Sequence, residues 1–422
     1  MKQHDAVAAD AAHIWHPYTQ HFGAPPPIEI VEARGAHLIA KDGRRILDMI
    51  SSWWVTLHGH GEPSIAEAIA AQSRKLEQVI FTSFTHEPAA RLAEELCAIL
   101  PAGLTRVFFT DDGSTAVEAA LKMAIQFWHN RGERRTKIVA VENSYHGDTF
   151  GAMSTSARGL FTAPFRSNLF DAVYLPGPPE GDTAGALESL LESGSRDIAA
   201  IILEPMLQGA GGMRVWNAAT LSHVARIARE RNILLIADEV LTAFGRTGPI
   251  FASNHANFSP DIICLSKGIT GGFLPLGATV ATEEIFAAFS SDDRKRMLFH
   301  GHSYTANPVA CAAARASLAL LDDKSAKRRS AIESAHGAGI ARISGHSAVR
   351  NPRVLGTIAA FDIGETSDYL KPVGTELARY ALARDVLLRP LGNVVYLLPP
   401  YCTTADQLEH AYDVIVSFLE QH

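Results

Sequence analysis

The sequence predicts an α/β protein built on a buried parallel sheet, and three stretches carry that expectation. Ile233 to Ala237 (ILLIA) is a short apolar run that stops at Asp238. Ile262 to Ser266 (IICLS) stops at Lys267, and Ile198 to Leu203 (IAAIIL) stops at Glu204. Apolar runs of this length, without polar alternation, suit strands covered on both faces, as in a parallel sheet. In open α/β sheets ligands sit beyond the carboxyl ends of the strands. Asp238 and Lys267, 29 positions apart (267 − 238), are therefore expected at one rim.

Taken in order, Ile14 to Gln20 (IWHPYTQ) is too aromatic for a free tail. Glu32 to His60 reads as a meander with the KDGR turn between two strands, and Trp53 and Trp54 would point to opposite sides of a strand. Residues 64–80 and 88–100 read as amphipathic helices, the second with Pro88 in its first turn. VFFT, then DDGSTAVEAALKMAIQFWHN, is strand, short loop and helix. Free N–H groups at the helix start, with the hydroxyls of Ser114 and Thr115, can cradle a phosphate; GST there also suits a plain N-cap. KIVAVENSYHGDTFGAMS is again strand then loop; His146 in it reads as a hydrogen-bonded scaffold residue. HGHSYTANP precedes a small-residue helix, and VLGTIAAFDI, VLLRP and NVVYLLPP read as strands of a smaller α+β domain. Thr404 and Gln407 form a capping box for the last helix.

Composition limits the function classes. A chain of 422 residues, 47% hydrophobic and 20% charged, has ample material for a core and, by length, two or three domains. A formal charge of −7 and the lack of a basic run give nucleic acid no surface. Cys97, Cys264, Cys311 and Cys402 have no CxxC spacing and read as buried thiols of a reducing compartment, with no metal site. The start lacks the pattern of a signal peptide, and no apolar run reaches about 18 residues. A cytoplasmic protein without a membrane span is the expectation.

The chemistry at the rim is specific. A lysine in an apolar site has a lowered pKa and becomes a nucleophile able to form a Schiff base. A carboxylate beside it can keep a pyridine nitrogen protonated. Either residue alone also reads as a solvated loop charge. Arg389, between VLL and PLG, needs a carboxylate partner, from a ligand or from the protein itself. Glu204 and Gln208 fall at the same rim.

ADEVLTAFGRTG followed by LSKGITGG resembles the class III pyridoxal-phosphate aminotransferases, of fold type I. The resemblance runs from IWHPY to VVYLLPPY, and HPYTQ, SSWW and RPLGNVVYLLPP resemble the biotin-pathway branch. It implies a large doubly wound, mostly parallel domain over 61–310 and a small two-part α+β domain from 1–60 and 311–422. It implies pyridoxal 5'-phosphate held by Gly113, Ser114, Tyr145, Asp238, Lys267, His302 and Ser303, with Lys267, Asp238 and Tyr18 catalytic. Tyr18, Trp53, Trp54, Tyr145, Lys267, Gly301 and Arg389 would meet the substrates, S-adenosylmethionine and 8-amino-7-oxononanoate, and Asp148 would lie near them. The family's phosphate-contacting threonine matches Ser303, with Thr305 beside it, and comes from the partner subunit, so a homodimer with shared sites is implied. Some members pair the glutamate at position 204 with an arginine, which makes Arg246 of FGRTG the implied partner of Glu204. Many carry glutamine three residues after the strand-end Asp, where this chain has Leu241, unlike the ornithine and γ-aminobutyrate branches. Lysine or another ω-amino compound as donor, and a non-catalytic cofactor binder, remain alternatives at this stage.

Overall fold

The structure, a computed structural model, describes residues 5–194, 196–365 and 369–421. Residues 1–4, part of the stretch read for a leader, lie outside them. The largest sheet has seven strands, in the order Leu104–Thr110, Gly277–Thr282, Ile262–Leu265, Leu234–Asp238, Ile198–Leu203, Lys137–Val141, Val173–Leu175. Only Gly277–Thr282 runs against its neighbours; the pairings from Ile262–Leu265 onward are parallel. Every residue of Ile198–Leu203 and Leu234–Asp238 is buried, because helices cover both faces. Gly113–Asn130 packs on one face, with Ala116, Ala120 and Phe127 in a core shared with Ile202 and Ile236. Ala218–Glu230 packs on the other, with Leu221 and Val224 against Ile201 and Leu235.

Two smaller sheets join the ends of the chain. Ile30–Arg34, His37–Ala40 and Arg45–Asp48 form the expected meander, extended by Val386–Leu387. Val349–Leu355, Ile358–Ile363 and Val394–Leu397 form the other. Leu47 and Met49 share a core with Phe361, Leu397, Tyr412 and Phe418, so the meander is held by the C-terminal part. Trp54 sits in the seam, with Leu207 and Leu241 from one side and Ile358 and Tyr396 from the other. The Thr404–Gln407 capping box is present in both directions.

Several expectations need correction. Trp53 and Trp54 are not in a strand: Ser51–Trp54 is a kinked turn in which Ser51, Ser52 and Trp54 have positive φ. The Asp48 carboxylate accepts from the Ile50 and Ser52 N–H groups, which curls the chain away from the ladder. The helix expected over 64–80 is Pro63–Ser73, because the Gln72 side chain donates to the Leu76 carbonyl and turns the chain. Its successor, Glu87–Ile99, is close to expectation. All four cysteines are free, but only Cys264 and Cys311 are buried. Among the described residues no helix is long and apolar enough to cross a membrane.

Candidate active site

The carboxyl ends of five strands meet at a cavity of about 440 Å³ lined by Gly113, Ser114, Tyr145, Glu204, Asp238 and Lys267 among others. That volume suits one ring-sized cofactor. Asp238 ends its strand with one oxygen 2.7 Å from His146 Nδ1 and the other accepting from the Val240 N–H at 3.1 Å. Asp238 and His146 are both buried, so the carboxylate's direction is fixed before any ligand arrives. His146 is thus the scaffold residue expected; its own N–H donates to Ser156 Oγ.

Lys267 follows its strand at φ 45, a left-handed conformation that costs a non-glycine residue of order 1–3 kcal/mol. Neighbours hold it there. Gly272 (φ +91) lies against the Thr56 backbone, where a Cβ would come within 2.9 Å, so the glycine-rich turn lets residues 56–57 close over the lysine loop. Burial pulls the Lys267 amine below the usual lysine range, and Asp238 and Glu204 oppose that pull. Its Nζ lies 4.9 Å from the Trp54 ring centroid.

The expected phosphate cradle starts at Gly113, and Asp112 is its cap. Gly113 is required by packing, since a Cβ there would meet Val240 Cγ1 at 2.6 Å. Ser114 Oγ accepts from the Asp148 N–H at 3.2 Å and keeps its own proton to donate. Thr115 is a correction: its hydroxyl is engaged with the Asp112 backbone and side chain, leaving it no part in a cradle. The first-turn N–H groups of Gly113 and Ser114 point the helix's partial positive charge at the cavity.

At the mouth, Tyr18 donates to Asp148 Oδ2 at 2.6 Å and sets its ring edge-on to Trp53 and Phe161. Burial, then the bond to Asp148, pushes its hydroxyl up to about 12. Tyr145, raised by burial and by Tyr18, lines both the main cavity and a neighbouring one of about 270 Å³. Trp54 is buried with Nε1 donating to the Tyr396 hydroxyl at 2.9 Å, whereas Trp53 is exposed and carries the Arg389 guanidinium 4.1 Å above its ring. Among the described residues, no carboxylate pairs with Arg389.

Two expectations are not met within one chain. Glu204 does not pair with Arg246: its oxygens accept from the Tyr145 and Gly209 N–H groups, while Arg246 donates to the Pro399 and Thr56 carbonyls. Gly301, His302 and Ser303 do not line the Lys267 cavity. Thr305 Oγ1 is tied to the His302 backbone, whereas the Ser303 side chain makes no hydrogen bond among the described residues. Sequence reading missed Glu118, whose carboxylate holds Thr149, Gly151 and Ala152 and so supports the Asp148 loop. One glutamate inside a helical pattern gives no signal of such a role.

The model of the class III aminotransferases (Aminotransferase class-III) matches residues 18–419. The chain belongs to the class III aminotransferases. An adenosylmethionine-8-amino-7-oxononanoate aminotransferase of Synechococcus elongatus is 51% identical over 97% of this chain and 99% of its own. One of the same name from Mycobacterium leprae is 40% identical over 94% and 93%. The crystal structure of such an enzyme from Methanocaldococcus jannaschii superposes with a TM-score of 0.93 at 33% identity, covering 98% of each chain. An amine transaminase from an uncultivated Pseudomonas species, solved with PLP bound, gives 0.89 at 31% identity over 97% and 98%. Within this family the fold is that of type I transaminases, as the doubly wound sheet here shows. The sheet's rim supplies what the cofactor needs: an amine, a fixed carboxylate and a helix N-terminus on one cavity.

Proposed function

We propose that the protein transfers the amino group of S-adenosylmethionine to 8-amino-7-oxononanoate, giving 7,8-diaminononanoate for biotin synthesis, with pyridoxal 5'-phosphate as cofactor. The observation that carries this reading is the mouth of the cavity. Arg389 lies on Trp53 with no carboxylate of its own among the described residues, beside the Tyr18–Asp148 pair. A guanidinium so placed suits the carboxylate of a long aliphatic oxo acid. The aromatic walls of Tyr18, Trp53 and Tyr145 suit the aliphatic chain and, for the donor, a purine and a sulfonium.

When bound, the cofactor supplies an electron sink for the charge left as the substrate's α-proton departs. Lys267, with its amine's proton affinity lowered by burial, takes that proton and returns it. Asp238, braced by His146, holds a proton at the pyridine nitrogen. Gly113 and Ser114 bind the phosphate, and Tyr145 faces the ring. Tyr18 and Arg389 orient the substrates, and Trp54 walls the site from the seam.

The loop bearing Gly301, His302 and Ser303 completes the site of a second copy in a homodimer. Exposed Ile80, Phe84, Phe299 and Tyr304 supply apolar surface for that contact, and the free Ser303 hydroxyl is the phosphate ligand in place of Thr305. Residues 61–310 and the pair 1–60 with 311–422 form the two domains. Because helix Pro308–Ala319 packs on Pro63–Ser73 and Glu87–Ile99, the second edge is better drawn after Ala319. Four free thiols suit a reducing cytoplasm.

The test is product formation from the purified enzyme and 8-amino-7-oxononanoate, with S-adenosylmethionine or lysine as donor. Diamine detected by mass with S-adenosylmethionine supports the reading. Diamine only with lysine would overturn the donor, and none with either would overturn the acceptor.

A further inference from the structure

Glu204 is buried at the floor of the cavity, yet no step above uses it. Its two oxygens are spent on two different loops. Oε1 accepts from the Tyr145 N–H at 3.0 Å, and Oε2 accepts from the Gly209 N–H at 2.9 Å. The first loop carries the ring-facing tyrosine. The second carries Ala210, which also lines the cavity on that side. Gln208 reinforces the same junction, its amide donating to the Glu142 carbonyl at 2.8 Å. No arginine or lysine forms an ion pair with Glu204 among the described residues, so a carboxylate has been buried where two backbone donors are its partners. A neutral side chain could fill the space, but only an acceptor on both oxygens satisfies both N–H groups.

We propose that Glu204 is a positioning residue whose carboxylate clamps the Tyr145 loop to the Gly209–Ala210 turn and thereby sets the spacing of the walls between which the cofactor ring lies. The part that concerns the cofactor rests on the function proposed above; the clamp itself does not. The clamp also responds to pH. Burial is the main force that pushes the Glu204 carboxyl up to about 7; His146 lowers it and Asp238 raises it, and Lys267 shares the same floor. Above that value both oxygens accept. As pH falls through it one oxygen gains a proton and one tie weakens. The sign for stability is the reverse: burying a carboxylate whose folded pKa lies above 4.5 costs most above about pH 7 and nothing well below 4.5. The site is thus tightest where this residue contributes least to folding.

The experiment is amide hydrogen exchange over residues 143–148 and 207–211 in wild type and Glu204→Gln, with and without cofactor. Glutamine keeps one acceptor and turns an NH₂ towards the other donor. At pH 8 the variant is expected to lose roughly 10-fold or more of the protection at Tyr145 or Gly209, as for a lost hydrogen bond to a charged group. Its bound cofactor should show weaker visible circular dichroism and a higher Kd. Wild type, corrected for intrinsic exchange, should lose protection in the same segments between pH 8 and pH 6, and the variant should not. That wild-type series answers even if the variant does not fold. Unchanged protection in the variant, or a flat wild-type series, would overturn the clamp. Failure of wild type to bind cofactor would instead count against the function proposed above, since the exchange of cofactor-free protein still reports on the clamp.

Discussion

At the floor of the cavity each functional group is delivered by the end of a strand or the loop just after it: Gly113, Tyr145, Glu204, Asp238 and Lys267 follow five strands of one sheet. At the mouth, Tyr18, Trp53 and Arg389 come from an N-terminal segment, a kinked turn and a loop after Val386–Leu387, segments far apart in the chain. The floor is braced by hydrogen bonds among buried groups, such as Asp238 with His146. The mouth is held by ring edges and a cation over an indole, and among the described residues its arginine has no carboxylate of its own. Chemistry that must be the same for every aminotransferase is built on rigid elements. Under the proposed function, recognition, which differs between members, falls to segments that can change without disturbing the sheet.

Substitutions can break this contrast. The largest effect belongs to the floor: Lys267→Ala is expected to lower turnover by on the order of 10³-fold or more while cofactor still binds. Full activity by product assay would end the assignment. Asp238→Asn keeps the shape but removes the charge proposed to hold a proton at the ring nitrogen; turnover should fall about 100-fold, the scale of a lost charged hydrogen bond. At the mouth, Arg389→Ala should raise KM for the oxo acid by roughly 10–100-fold and leave the S-adenosylmethionine half-reaction nearly unchanged. Equal loss in both halves, measured by single-turnover absorbance, would erase the distinction between floor and mouth.

The smallest effect lies in the supporting frame. Burial, as the leading cause, holds both His58 and His336 down at about 4. A histidine whose folded pKa lies below 6.5 leaves stability untouched above that pH. The unfolded chain binds the extra proton as pH falls towards 4, so stability drops there. At pH 5 each should cost about 2 kcal/mol, lowering Tm relative to pH 7.5. His336→Gln should blunt the drop, and a Tm flat across that range would contradict it.

How much of this could be read from residues follows the same divide. Strands such as IAAIIL and ILLIA were legible because a sheet covered on both faces leaves unbroken apolar runs, and the residue ending each run marks the rim. The kinked Ser51–Trp54 turn was not legible, since it depends on where the Asp48 carboxylate sends its bonds. The Glu204–Arg246 pairing failed for a related reason. Carbonyls of Pro399 and Thr56, remote in sequence, satisfy the arginine, and the glutamate turns to backbone donors. Arg389 illustrates a third case. Spacing alone left it between structural and ligand pairing, and the structure narrows the choice because no carboxylate meets it among the described residues.

Under the proposed function this floor and this mouth together take an amino group from S-adenosylmethionine. The most direct measurement adds S-adenosylmethionine alone to the yellow holoenzyme, without acceptor, and follows the visible absorbance of the bound cofactor. The visible band is expected to bleach and to return when 8-amino-7-oxononanoate is added. A band that stays unchanged with S-adenosylmethionine, yet bleaches with lysine, would contradict it.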